Sequence, residues 1–108
     1  MSTRGLILPE KLREKFGKRL EEVLAWKWDR IRNYAFERRD DGVTISAEVE
    51  GNTGVYSCLI SENELFCSCK GQTVHKTVCK HLLFLCLYAY FTLDVDEDEM
   101  YRLLRIER

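Results

Sequence analysis

The chain has one proline, one glutamine, three asparagines and a net charge of only −1 over 108 residues. No Pro-rich or other low-complexity linker divides it, so its length is that of one ordinary domain, 1–108. No apolar run approaches the roughly 20 residues of a membrane helix. The short apolar patch in MSTRGLILPEK is too small for the core of a signal peptide. The chain therefore reads as soluble and intracellular, cytoplasmic or nucleoid-associated, and not secreted. Its near-zero charge removes any bulk electrostatic case for nucleic acid. A phosphate-binding glycine loop, a nucleophile elbow, a paired-carboxylate motif and HExxH are all missing. The sequence thus offers neither an active site nor a small-molecule substrate site, and reads as a binding module rather than an enzyme.

What charge there is lies unevenly. Residues 11–39 hold ten Lys or Arg against five acids, whereas residues 94–108 hold six acids against three bases. The first imbalance suits either a phosphate-tracking surface or a solvated, ion-paired helix face. The second repels DNA and suits a protein partner on that side. Scarce Gln and Asn beside abundant Lys, Arg and Glu lean toward a thermophilic composition.

Leu12, Phe16, Leu20, Val23, Leu24 and Trp28 recur at steps of three and four. That spacing predicts an amphipathic helix over about 9–27, opened by Pro9 and weakened at Gly17 by up to ~1 kcal/mol. The period then shortens to two. Strands are predicted at 30–39, 43–49, 55–61 and 64–69, separated by turns at DDG (40–42), EGNTG (50–54) and EN (62–63). A loop fills 70–78, and CKHLLFLCLYAYF starts an apolar helix at Cys79. Asp94 and Glu97 read as a capping box before a last helix over 95–106. The expected fold class is α+β: an N-terminal helix, an antiparallel four-stranded β-meander, a strand–loop–helix unit and a C-terminal helix.

Three of the five cysteines and both histidines fall within FCSCKGQTVHKTVCKH, residues 66–81. Cys67 and Cys69, two apart at a strand end, point to one face. Cys79 and His81 would diverge by about 200° within a regular helix, so Cys79 must keep pre-helical dihedrals for the two pairs to meet. Three thiolates and an imidazole suit a tetrahedral Zn²⁺ with no position left for water, a structural site. Two other readings stay open, a disulfide and buried apolar thiols, although Ser68, Lys70 and Lys80 make a poor core. His75 is an alternative ligand to His81. Cys58 and Cys86 read as core. A thiol redox role is disfavoured because CSC lacks the CxxC spacing.

The pairs Cys67-x-Cys69 and Cys79-x-His81 in this setting resemble the SWIM-type zinc finger, whose signature is CxCx(n)CxH. GVYSCLISENELFCSC and CKHLLFLCLYAY resemble its flanking strand and helix, so the likeness covers about 42–92, with helical extensions at 9–27 and 95–106. The resemblance implies that Cys67, Cys69, Cys79 and His81 hold one structural Zn²⁺ and that the module binds DNA or protein. It also implies an accessory role in DNA recombination, transposition or chromatin, by association. For DNA, the candidate contacts are Lys70, Gln72, Lys76 and Lys80 around the metal and Arg30, Arg32, Arg38 and Arg39 on the hairpin. For a protein partner or homodimer, the candidate surface is the apolar helix 82–91 with its flanking helices, supported by Trp26 and Trp28.

Overall fold

The computed structural model describes residues 10–40, 42–69 and 78–106. Two helices open the described chain, α1 (Glu10–Phe16) and α2 (Lys18–Leu24), and a 3₁₀ turn (Trp28–Arg30) follows. Strands β1 (Ile31–Arg39), β2 (Gly42–Glu50), β3 (Val55–Ser61) and β4 (Leu65–Cys67) come next, then α3 (Lys80–Phe91) and α4 (Glu97–Leu103). The class is α+β, as the sequence indicates.

The one helix expected over 9–27 is two. Gly17 adopts φ +52 and ψ −119 between α1 and α2, a conformation open to glycine and strained for other residues. Its amide still caps α1 by bonding Arg13 O at 2.9 Å. The chain turns at this point, and each half keeps its own buried face: Leu12 and Phe16 from α1, Leu20 and Val23 from α2.

The sheet is an antiparallel meander in the order β1-β2-β3-β4. The alternation read in β2 is real: Val43, Ile45, Ala47 and Val49 are buried while their neighbours are half-exposed. Pairing of β1 with β2 slips between Arg32 and Ala35. Asn33 takes φ +53 there, the left-handed geometry that asparagine tolerates best after glycine.

Helix α3 lies across the inner face of the sheet, and its residues 81–87, 89 and 90 are all buried. A helix apolar on every side must be covered on every side. The sheet covers one face and α2 and α4 flank it. Trp28 stacks on Phe84 at 5.0 Å between ring centroids and meets Tyr88 and Phe91 edge-on, while Trp26 meets Phe84 edge-on at 5.1 Å. Helix 82–91 is therefore consumed by the chain's own core. It does not supply the docking face expected of it, and the two tryptophans are part of its cover.

Both C-terminal helices end in the six-to-one bond of a Schellman turn. At α3, Asp94 N bonds Ala89 O at 2.9 Å, and at α4, Ile106 N bonds Tyr101 O at 2.9 Å. The left-handed residue is not glycine in either case: Leu93 has φ +69 and Arg105 φ +60. Because the amide of Asp94 belongs to the end of α3, α4 starts later than expected. Its N-cap is Asp96, in a full capping box with Glu99. The Asp94 carboxylate instead accepts the Tyr34 hydroxyl at 2.6 Å.

Candidate metal centre

The site is built where the sheet edge meets the start of α3. Cys58 on β3 and Cys67 on β4 stand opposite one another in the ladder. Ser68 N continues the pairing to Ser57 O at 3.1 Å, and the Ser68 hydroxyl accepts from Ser57 N at 3.0 Å. These bonds fix the path of the chain through Cys67 and deliver Cys69 to the same buried edge; both cysteines are buried. Across the gap, Cys79 is the N-cap of α3 with φ −84 and ψ 172, and its side chain makes no capping bond. This is the extended geometry the Cys-x-His spacing requires. His81, one turn position on, is the one buried polar or charged side chain among the described residues.

The ligand atoms of Cys67, Cys69, Cys79 and His81 all lie within 4.8 Å of one another. His81 presents Nδ1, which sits 3.8 Å from Cys67 Sγ and 3.9 Å from Cys79 Sγ. In a tetrahedron with Zn–S near ~2.3 Å and Zn–N near ~2.0–2.1 Å, the S···N edge is about 3.6 Å. Those two edges need a contraction of about 0.3 Å, and the widest separation in the group, 4.8 Å, needs about 1 Å, so the donor set is compatible with one zinc ion. Four protein donors leave no open position, which fits a structural ion.

Without an ion, two of these thiols, Cys67 and Cys79, are held protonated. Cys79 is pushed up to about 12, first by its hydrogen bond with Cys67 and then by burial. Cys67 is also pushed up, chiefly by its hydrogen bond with Cys58. A cation supplies what is missing, since thiolates and not thiols ligate metal.

Three neighbours of the quartet were not read from the sequence. Gly51 is buried, and a Cβ placed on it would lie 2.5 Å from His81 Nε2 and 3.1 Å from Cδ2. Only a hydrogen at this position lets the Nε2–Cδ2 edge of the imidazole sit against the β2–β3 turn with Nδ1 toward the sulfurs. Tyr56 and Trp26 flank the same ring, at 4.6 and 5.9 Å between centroids. Cys58 is core, as its strand position indicates, and its Sγ also lies 3.5 Å from Cys67 Sγ as a donor. EGNTG signalled a turn, but nothing local to it signalled a histidine 30 residues away. Cys86 is wholly buried in the core, as expected.

The cationic candidates are arranged differently. Lys80 pairs with Glu22 at 2.8 Å, Arg32 with Glu50 at 2.5 Å, and Arg39 with Glu37 at 2.8 Å. Arg38 pairs with Glu99 and donates to Asp94 O at 2.7 Å. Arg30 donates to Glu50 O at 3.1 Å, with its guanidinium 4.7 Å over the Trp26 ring. The structure thus gives each of these side chains a partner within the chain. Lys70, Gln72, His75 and Lys76 lie outside the described residues. No described helix is long and apolar enough to cross a membrane.

Residues 43–90 match the family model of the SWIM zinc finger. The matched span begins at β2, encloses all four donors, and ends with α3. No curated protein and no solved structure matches the chain.

Proposed function

We propose that this chain, which carries a SWIM zinc finger over residues 43–90, is a zinc-organised, non-enzymatic module that works by binding a protein partner. The ion holds the end of β4 against the start of α3, and the fold so fixed presents its surface to the partner. One observation carries the choice of protein over DNA: the described cations named as DNA contacts are committed within the chain. Four of the five are ion-paired with carboxylates and the fifth lies on a tryptophan ring. A phosphate would compete with those carboxylates for the same cations, and the net charge of −1 gives it little long-range attraction. The SWIM resemblance points to an accessory role in DNA recombination, transposition or chromatin, where a protein-binding subunit acts through a partner that holds the DNA.

The test is direct binding. Zinc-loaded protein is titrated with single- and double-stranded DNA at low salt, alone and with Lys70, Lys76 and Lys80 changed to Glu, and native complexes are isolated in parallel. The expected result is no DNA binding by the chain alone and a stoichiometric protein complex. Salt-sensitive DNA binding that the Lys→Glu changes abolish would replace this reading with direct DNA recognition.

A further inference from the structure

We propose that the cleft where the end of α1, the start of α2, β4 and the end of α4 converge is a docking site for an acidic, apolar peptide segment of the protein partner, an inference that rests on the partner reading above. The cleft holds about 300 Å³ and is rimmed by Lys15, Arg19 and Arg105. Its floor is Phe16, Leu65, Val78 and Leu104. That volume lies at the lower end for a ligand site and fits one or two side chains.

The rim differs from the ion-paired Arg32, Arg38, Arg39, Lys80 and Arg102. Lys15 Nζ donates to Arg105 O at 2.6 Å, and Arg19 donates to Val78 O at 3.0 Å. Arg105 donates to Ser61 O at 2.8 Å, Leu103 O at 2.8 Å and Arg102 O at 3.2 Å. Carbonyls orient these groups without neutralising them. Glu62, the acid that acts on Arg105 through charge, is itself ion-paired with Arg102 at 3.3 Å. Three cations therefore stand over an apolar floor, and among the described residues no carboxylate lines the cleft. The complement is a carboxylate flanked by an aliphatic or aromatic side chain: the acid meets the rim in charge-assisted hydrogen bonds and the apolar group covers the floor. A nucleic-acid backbone would satisfy the rim and leave the floor bare.

The test uses the zinc-loaded full chain, ¹⁵N-labelled, and the blocked peptide Ac-Leu-Glu-Phe-Glu-Leu-Gly-NH₂. Amide shifts are expected at Phe16, Arg19, Val78 and Arg105. The same peptide with Gln for both Glu should bind at least fivefold more weakly. Arg105→Gly is the decisive variant. Its backbone already has the φ that glycine prefers, so the fold and one zinc per chain are retained while the guanidinium is lost, and peptide affinity should fall at least fivefold. Arg19→Gln, which leaves the backbone alone, should weaken binding likewise. Absence of shifts at millimolar peptide, equal binding of the Gln peptide, or stronger shifts at the same amides with a single-stranded oligonucleotide would each overturn the proposal. A native partner held equally by Arg105→Gly would also overturn it, and would leave the partner reading standing.

Discussion

At the scale of single residues, the site turns on a contact that carries no ligand chemistry. His81 must give Nδ1 to the sulfurs, and its Nε2 edge has to go somewhere. It goes against Gly51, where an added Cβ would fall 2.5 Å from Nε2. Gly51 does not have a left-handed φ, so its substitution acts by steric contact with the ring and not through backbone strain. Gly51→Ala should therefore rotate or lift the imidazole while the chain still folds. Changes to groups that orient a metal ligand typically cost about 10–100-fold in affinity, and we expect a loss in that range, measured by competition with a chromophoric chelator. Unchanged zinc affinity in Gly51→Ala would show that the ring has room to spare. Cys58 makes the opposite case. It touches Cys67 but lies outside the group of four, so Cys58→Ala should still bind one zinc per chain by elemental analysis. Cys67→Ala should not.

At the scale of elements, two differences from the sequence reading lead to measurable signs. A glycine inside a continuous helix is a defect, and replacing it with alanine stabilises by up to ~1 kcal/mol. Gly17 instead sits at φ +52 and ψ −119 between two helices, a sparsely populated conformation in which a Cβ costs about 1–3 kcal/mol. Gly17→Ala should lower stability in urea unfolding; a gain would restore the single helix. At the other end, Asp96→Ala should cost about 1 kcal/mol by removing the capping box, although the sequence placed the box at Asp94 and Glu97. Glu99 in that box also has its carboxyl held below its ordinary 4.5, first by its hydrogen bond with Arg38. A depressed folded value means stability that is full above pH ~4.5 and is lost as pH falls through the lower folded value. Strands, their order, the buried face of β2 and the four donors were legible because each has a local signature: period two, turn residues, or the CxC and CxH spacings. What was not legible is long-range. The break at Gly17 depends on where two faces must pack, and the shift from Asp94 to Asp96 depends on how α3 ends. Coverage of helix 82–91 by Trp26 and Trp28 depends on the path of the chain between α2 and β1, which no periodicity encodes.

At the scale of the whole molecule, zinc and core hold different parts of one structure. The core runs unbroken from Leu12 and Leu20 through the sheet to Leu104, whereas the ion would tie only the β4 end to the α3 start. The two respond to pH in opposite directions. In the metal-free fold, Cys79 is raised to about 12 from 9.0, and Cys67 is raised as well. A thiol whose folded value lies above its unfolded one favours the fold below the unfolded value. That contribution fades as pH climbs from about 9 through the folded value. The metal-free chain should thus be no more stable at pH 10 than at pH 7. Zinc reverses the slope, because each ion taken up near neutrality must displace at least the protons of Cys67 and Cys79. At least two protons released per ion make the affinity rise at least about 100-fold per pH unit. The measurement is a chelator competition at pH 6 and pH 7, read through the fluorescence of Trp26, which lies 5.9 Å from the His81 ring. A rise of less than tenfold would mean that at most one thiol proton leaves, and the Cys₃His shell would then be the wrong description of the site.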